Sequence, residues 1–181
     1  AIGSVVTALL SAEQWLAWLL LGATLIVPLG FSSIREDWRL ATVVYLVIAC
    51  HHGSAMLLTF GEVRPLDLWD ASYFDHLASQ VAQGESRPVS ANVQVSWELG
   101  YRTYVNLLSG VYVVNNDFFT GAQVSVLFAV VALLLSIQIA REVNVPTERL
   151  WWVACAGGIP GSLIFFSVTY RESCQIFFLI L

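Results

Sequence analysis

The sequence predicts an all-α fold, a polytopic bundle of membrane helices with an outward-facing loop that contains amphipathic interfacial helices. Of its 181 residues, 57% are hydrophobic and only 12% are charged, and the mean hydropathy is +0.73. Soluble domains carry roughly 25% charged residues, so a water-facing surface could hardly be built from this supply. The few charges also divide the chain into long uncharged stretches of membrane-crossing length.

Four of these stretches, each 21 to 23 residues long, predict four full spans. A bilayer core of about 30 Å needs about 20 apolar residues per helix. The predicted spans are 14–34, 40–61, 118–140 and 150–170, and the start of another is predicted at 173–181. Because that last run reaches the chain end without a polar stop, we expect 1–181 to be a single transmembrane domain of a longer protein.

A shorter uncharged stretch, 103–116, predicts which segments lie on the same side. It has only 14 residues, the length of a re-entrant or interfacial helix. If it does not cross, the loops "REDWR" and "REVNVPTER" lie on the same side of the membrane. Together they contain four arginines, and short arginine-rich loops favour the cytoplasmic side. The long segment 62–117 then faces outward, and Arg171 and Glu172 emerge on the same face.

The segment 66–84 predicts an amphipathic helix lying on the membrane surface. An apolar stripe recurs at three- and four-residue spacing: Leu66, Trp69, Tyr73, Leu77 and Val81. Pro65 suits the start of this helix and Gly84 its end. Asp75 and Gln83 are predicted on the opposite, water-facing side.

Asp70 lies at the edge of this stripe, one turn before Tyr73. One interpretation is a first-turn carboxylate stabilised by the helix dipole. The other is a carboxylate aimed into a cleft between the helix and the spans. A second short helix is predicted at 100–114, where Tyr101 is either an interfacial anchor or a surface that stacks on sugar rings.

The order of these parts resembles the GT-C-type membrane glycosyltransferases. A span leads to an outer loop that opens with an aspartate and an amphipathic helix, and a short helix with "YVNLLSGVY" follows. Two spans come next, the second containing Pro160 and ending near Ser167, Arg171 and Glu172. This group includes transferases that use dolichyl- or undecaprenyl-phosphate sugars, and bacterial proteins of surface-polysaccharide synthesis look similar. The resemblance covers 62–181.

The resemblance implies transfer of a sugar from a polyprenyl-phosphate donor at the outer membrane face. Asp70 would be the catalytic base, Glu172 would assist it or hold a metal, and Arg171 would bind the donor phosphate. Carboxylates suit proton abstraction from a hydroxyl, and guanidinium groups bind phosphate through paired hydrogen bonds. Tyr73, Tyr101 and Arg102 are further candidates for substrate binding.

Two departures leave alternatives open. The family's outer loop usually opens with an acidic pair, whereas Ala71 follows Asp70 here, so the second carboxylate is either absent or replaced by Asp67 or Asp75. Arg171 and Glu172 are also compatible with a plain charged turn between two spans. A transporter or a non-catalytic membrane protein of polysaccharide assembly is therefore the rival prediction, since no P-loop, Rossmann fingerprint or nucleophile elbow occurs.

The resemblance also implies which partners the protein has and where it is located. The expected partners are the lipid bilayer, the polyprenyl-phosphate-sugar donor and a glycan, lipid or protein acceptor, in a bacterial inner membrane. A net charge of −5 argues against nucleic-acid binding. No metal site is predicted from the sequence, and a divalent cation is the one cofactor left open.

Other polar residues in apolar runs have plainer interpretations. His51 and His52 are adjacent, so they cannot both face one point on a helix, and neutral rings bonded to nearby backbone or to Ser54 are favoured over a metal or proton path. The cysteines lack metal-ligand spacing and are predicted as buried packing thiols. They are Cys50, Cys155 and Cys174.

Overall fold

The computed structural model describes residues 14–61, 69–85, 96–159, 162–163 and 172–180. Every regular element in this part of the chain is helical, which confirms the predicted all-α class. In chain order the helices are α1 Trp15–Ile26, α2 Ser32–Glu36, α3 Trp38–Phe60, α4 Trp69–Ala82, α5 Ser96–Tyr112, α6 Phe118–Glu142, α7 Thr147–Ala156 and α8 Glu172–Ile180.

Helices α3 and α6 are the longest, at 23 and 25 residues, and cover nearly the stretches predicted at 40–61 and 118–140. Within the described residues they are the two helices long and apolar enough to cross a membrane. Each begins directly after an aspartate. The Asp37 and Asp117 carboxylates accept hydrogen bonds from backbone N–H groups of the first turn, which leaves fewer of these donors unpaired.

The stretches predicted as spans at 14–34 and 150–170 contain shorter regular helices. Helix α1 ends at Ile26, where a 3₁₀ turn at Val27–Gly30 begins with Pro28 in its first positions. Proline has no N–H for the α-helical ladder. Helix α7 ends at Ala156, and two glycines follow it. Residues 160–161 and 164–170 of the second stretch lie outside the described part.

The α3–α6 pair is antiparallel, and side-chain contacts mark both of its ends. At one end the rings of Phe60 and Phe119 lie 5.0 Å apart. At the other, Arg141 Nη2 lies 2.5 Å from Glu36 Oε2, and Arg141 Nη1 donates to Ser32 Oγ at 3.2 Å. We call the first the hairpin end and the second the loop end. The chain between the two helices therefore returns to the end that it left.

The main core lies where α1, α3, α6 and α7 meet. Its fully buried members include Val44 and Ile48 of α3 and Val126 and Leu134 of α6. A second core joins α4 and α5 to the start of α8. It contains Phe74, Ala78, Tyr104, Val105, Leu108, Tyr112 and Cys174.

Two helix ends have the same capping pattern. Gly84 after α4 and Asn144 after α6 both have positive φ, at 74° and 61°. In each case the next residue donates a backbone hydrogen bond to the carbonyl five residues earlier, as Glu85 does to Gln80 at 2.9 Å. Gly84 therefore ends α4, as predicted from the sequence.

Candidate functional site

The α4–α5 hairpin supplies the most unusual polar pair in the described residues. The hydroxyl of Tyr112, at the end of α5, donates a hydrogen bond to Oδ1 of Asp75 in α4. Tyr112 is only 3% exposed, so its phenol needs a partner inside the protein. Its neighbours one and two turns earlier, Leu108 and Tyr104, are fully buried and form the stripe by which α5 packs.

Burial changes the proton affinity of both members of this pair. Burial raises the pKa of the Asp75 carboxyl above its ordinary value, the hydrogen bond from Tyr112 opposes that shift, and the charge of Asp117 raises the pKa further. Burial, followed by the charge of Asp75, raises the pKa of the Tyr112 phenol, so the phenol keeps its proton and acts as the donor. A carboxylate with a raised pKa accepts protons more readily near neutral pH.

Side chains of three segments meet around this pair. Asn116 Nδ2 donates to Ser79 Oγ at 2.8 Å, which ties the residues before α6 to α4. Thr120 Oγ1 donates to Asn115 Oδ1 at 2.5 Å. The region therefore offers amide, hydroxyl and carboxylate groups at the hairpin end, a combination that can bind a polyhydroxylated ligand through hydrogen bonds.

The position of Asp75 corrects one sequence prediction: the sequence offers Asp75 only as a replacement for the family's second carboxylate, and Asp70 and Glu172 are the predicted catalytic residues. The apolar stripe placed it on the wet face, whereas the face of α4 that packs inward carries Ala71, Phe74 and Ala78. Tyr73, predicted in the stripe and as a substrate-binding residue, is 56% exposed. The predicted stripe consists of large apolar residues, whereas small alanine side chains allow two helices to pack more closely. The sequence signal for this contact lies in α5. Tyr112 belongs to the apolar, buried stripe of that helix, so its hydroxyl needs a hydrogen-bond partner inside the protein.

Most of the predicted site residues have undescribed side chains. Asp70 lies in α4, Tyr101 and Arg102 lie in α5, and Glu172 begins α8, but the side chains of these four are outside the described part. Arg171 is outside it altogether. Their roles therefore stay predictions.

The backbone still brings two of these helices together. Cys174, two residues after the start of α8, is 2% exposed and belongs to the same core as Phe74 of α4 and Tyr104 of α5. Phe74 follows Asp70 by one helical turn. The first turn of α8 and the first half of α4 therefore lie in one neighbourhood at the hairpin end.

The two histidines of α3 face different helices, as their adjacency predicted. His51 Nε2 lies 3.0 Å from the carbonyl oxygen of Gly157, and His52 Nε2 lies 2.6 Å from Thr24 Oγ1. The His51 contact is to a backbone carbonyl, as predicted, whereas His52 contacts the side chain of Thr24. His51 also borders a cavity of about 210 Å³ between α3, α6, α7 and α8, whose polar lining includes Ser136 and Ser162.

The cysteine prediction was right for one residue and wrong for two. Cys174 is buried, whereas Cys50 and Cys155 are exposed. An apolar run makes a residue buried only where protein covers that face of the helix, and these two lie on outward faces of α3 and α7. Among the described residues, no three His, Cys, Asp or Glu side chains are grouped so that they could hold a metal ion.

Comparison with known proteins adds no relative. No family model, no curated protein and no solved structure matches this chain.

Proposed function

We propose that this chain belongs to a membrane glycosyltransferase of the GT-C type, acting on a polyprenyl-phosphate-linked sugar at the outer face of a bacterial inner membrane. The observation that carries the proposal is the Asp75–Tyr112 pair. It holds a carboxylate of raised pKa in the hairpin between the two longest apolar helices.

The outward faces of the bundle support a membrane setting. The exposed positions of α3 include Leu46 and Leu57, at 60% and 58% exposure, and no charged residue lies between Arg39 and Glu62. A helix facing water would place charged residues there. Lipid tails cover such a surface without cost.

The loop end supports the proposed orientation. Four arginines lie at or near it, within the helix ends: Arg35 in α2, Arg39 in α3, Arg141 in α6 and Arg149 in α7. Trp38 at the start of α3 is 73% exposed and Trp152 within α7 is 63% exposed, which suits a position at the level of the lipid headgroups. With this end cytoplasmic, the α4–α5 hairpin faces outward.

The proposed chemistry uses one carboxylate and one guanidinium. A carboxylate of α4 takes the proton of the acceptor hydroxyl as that oxygen attacks the anomeric carbon, and the bond to the donor phosphate breaks. Arg171 would bind the departing phosphate. Both groups belong at the membrane surface, because the polyprenyl tail of the donor lies in the bilayer while its sugar does not.

Donor consumption in membranes containing the full-length protein tests this proposal. A radiolabelled polyprenyl-phosphate hexose or pentose is supplied, and loss of label from the lipid is followed for Asp75→Asn, Asp70→Asn and Arg171→Ala. We expect Arg171→Ala and at least one aspartate variant to lose consumption at unchanged abundance. Glu148→Gln, an exposed carboxylate at the loop end, is the matched control and should remain active. Full activity in all three test variants would contradict the proposal.

The cavity beside His51 favours a second candidate, a transporter or a non-catalytic protein of polysaccharide assembly. Its lining is mainly apolar, with His51, Ser136 and Ser162 as polar members, and it lies among helices and away from the Asp75–Tyr112 pair. Transport predicts inverted repeats in the complete sequence. It also predicts that donor lipid is moved across the membrane while its sugar stays attached.

A further inference from the structure

A groove of about 500 Å³ opens at the loop end, between the first turns of α3 and α7. Both helices begin at this end, and Val44 of α3 and Leu150 of α7 belong to the same main core. Farther along the pair, His51 Nε2 of α3 lies 3.0 Å from the carbonyl oxygen of Gly157, the residue that follows α7. The two helices therefore run side by side in the same direction, with the groove where they start.

Charged side chains of both signs line this groove. Arg39 contributes from α3 and Glu148 from α7, and Asp37 lies just before α3. Asp37 Oδ1 already accepts from the backbone N–H groups of Arg39, at 2.9 Å, and Leu40, at 3.2 Å. The Arg39 guanidinium lies 5.6 Å from the centroid of the Trp38 ring, and in the described part of the chain no carboxylate lies within ion-pair distance of it. Arg39 and Glu148 thus line one space without forming an ion pair.

The rest of the groove is apolar and leads away from these charges. Leu40 and Val43 line it from α3, and Trp151 lines it from α7. Residues three and four apart share a face of a helix, so the next outward positions are Leu46 after Val43 and Cys155 after Trp151. Leu46 is 60% exposed, and Cys155 is exposed as well. A hydrocarbon chain could therefore follow a continuous apolar surface from the groove along both helices.

The mixed charge of the groove restricts which ligand it fits. A phosphate group would be attracted by Arg39, but Asp37 and Glu148 would repel a ligand with no positive charge. A simple cation would be attracted by the carboxylates and repelled by Arg39. A ligand that carries a phosphate and an ammonium complements both walls. A primary ammonium also donates hydrogen bonds to carboxylate oxygens, which a quaternary ammonium cannot do.

We propose that this groove binds a phospholipid with a phosphoethanolamine headgroup, with its phosphate at Arg39, its ammonium at Glu148 and an acyl chain along Val43 and Trp151. The proposal rests on the membrane setting of the proposed function but not on sugar transfer. The groove lies at the loop end, whereas the Asp75–Tyr112 pair lies at the hairpin end. The test below and the test of donor consumption can therefore fail separately.

Photo-crosslinking of the full-length protein in lipid vesicles tests this site. Three lipids with the same diazirine-bearing acyl chain are compared, which carry phosphoethanolamine, phosphocholine or phosphoglycerol headgroups. We expect the ethanolamine lipid to label peptides containing Val43 and Trp151 roughly two- to fivefold more than the other two, the range for partly exposed charge contacts. Mass spectrometry of the peptides measures this. Equal labelling by the three lipids would overturn the proposal, and so would a preference for the anionic glycerol lipid.

Two substitutions assign the headgroup contacts. Arg39→Gln and Glu148→Gln each remove one charge at an exposed position, and each should reduce labelling by the ethanolamine lipid to the level of the choline lipid. Arg35→Gln and Glu142→Gln are the matched controls, because they remove the same charges from exposed residues at the loop end that do not line the groove. Equal losses in test and control variants would contradict the site. The ranking of the three lipids on the unmodified protein decides the question if a variant fails to fold.

A soluble competitor separates a lipid from a free headgroup. Glycerophosphoethanolamine carries the same charges without acyl chains, so an excess of it should leave the labelling by the ethanolamine lipid largely unchanged. Complete displacement would contradict the proposal, because the groove would then bind a soluble ligand.

Discussion

Glu36 and Arg141 form an ion pair at the loop end although 105 residues separate them in the chain. Both side chains are partly exposed, so the pair contributes at most about 1 kcal/mol to stability. Its importance is topological. Together with the Phe60–Phe119 contact at the other end, it makes α3 and α6 antiparallel, with the α4–α5 hairpin inserted between them at one end.

Removing the Tyr112 hydroxyl tests the pair at the centre of the candidate site. Tyr112→Phe should lower the free energy of unfolding by about 1.5 to 3 kcal/mol, because a buried hydrogen bond to an ionisable group is lost. Thermal unfolding of the detergent-solubilised protein measures this. Tyr73→Phe is the control, since Tyr73 is 56% exposed and should change stability by less than about 0.5 kcal/mol. Equal changes in stability in the two variants would show that the Asp75–Tyr112 hydrogen bond does not stabilise the fold.

The raised pKa of Asp75 predicts a pH-dependent stability. A carboxyl whose pKa is higher in the folded state than its ordinary 3.8 favours folding when protonated, and this contribution is lost as pH rises from 3.8 through the raised value. Asp75→Asn stays neutral and should unfold at a higher temperature than the wild type at neutral pH. The difference should shrink below pH 3.8. A constant difference at every pH would show that charge is not its cause.

The charge of Asp117 should act on Asp75 at a distance. Asp117→Asn keeps a side-chain oxygen for the first turn of α6, since asparagine is also a good helix cap, but removes a negative charge. The pKa of Asp75 should then fall toward its ordinary value, because Asp117 contributes to raising it. A ¹³C NMR titration of the Asp75 carboxyl measures the shift. Asp37→Asn makes the same change at the loop end and should leave that titration unaltered.

The sequence predicted the long helices well and the faces of the short ones poorly. Helices α3 and α6 consist mostly of long uncharged runs and begin directly after Asp37 and Asp117, so their length and their first residues follow from the local sequence. The inward face of α4 depends on Ala71 and Ala78, whose small size permits close packing only against a particular partner helix. That partner is not encoded in the periodicity of α4 alone.

The candidate site was only partly predictable for a similar reason. The outer segment and its acidic character follow from the charge pattern, and α4 was expected there. The choice of Asp75 depends on Tyr112, which lies 37 residues farther along the chain. A contact at that separation arises from the packing of α4 on α5, and the sequence pattern shows each helix separately.

Exposed and buried cysteines provide an independent check on the bundle in lipid. Cys50 and Cys155 lie on outward faces, whereas Cys174 is buried in the core shared by α4, α5 and α8. A photoactivated carbene probe dissolved in the bilayer does not need a thiolate, so it should modify the first two and spare Cys174 until the protein is denatured. Mass spectrometry of the labelled peptides measures this. Early modification of Cys174 would contradict the packing of α8 on the hairpin.

The proposed topology requires the chain to leave α3 and enter α6 at the same membrane face. Single cysteines at Glu85, Asn116 and Asn144, placed in a full-length variant without its native cysteines, are labelled in intact cells with a membrane-impermeant maleimide. We predict that the positions at 85 and 116 react together and that the position at 144, beyond α6, is protected until the cells are opened. Labelling of positions 85 and 116 from opposite sides of the membrane would contradict this topology.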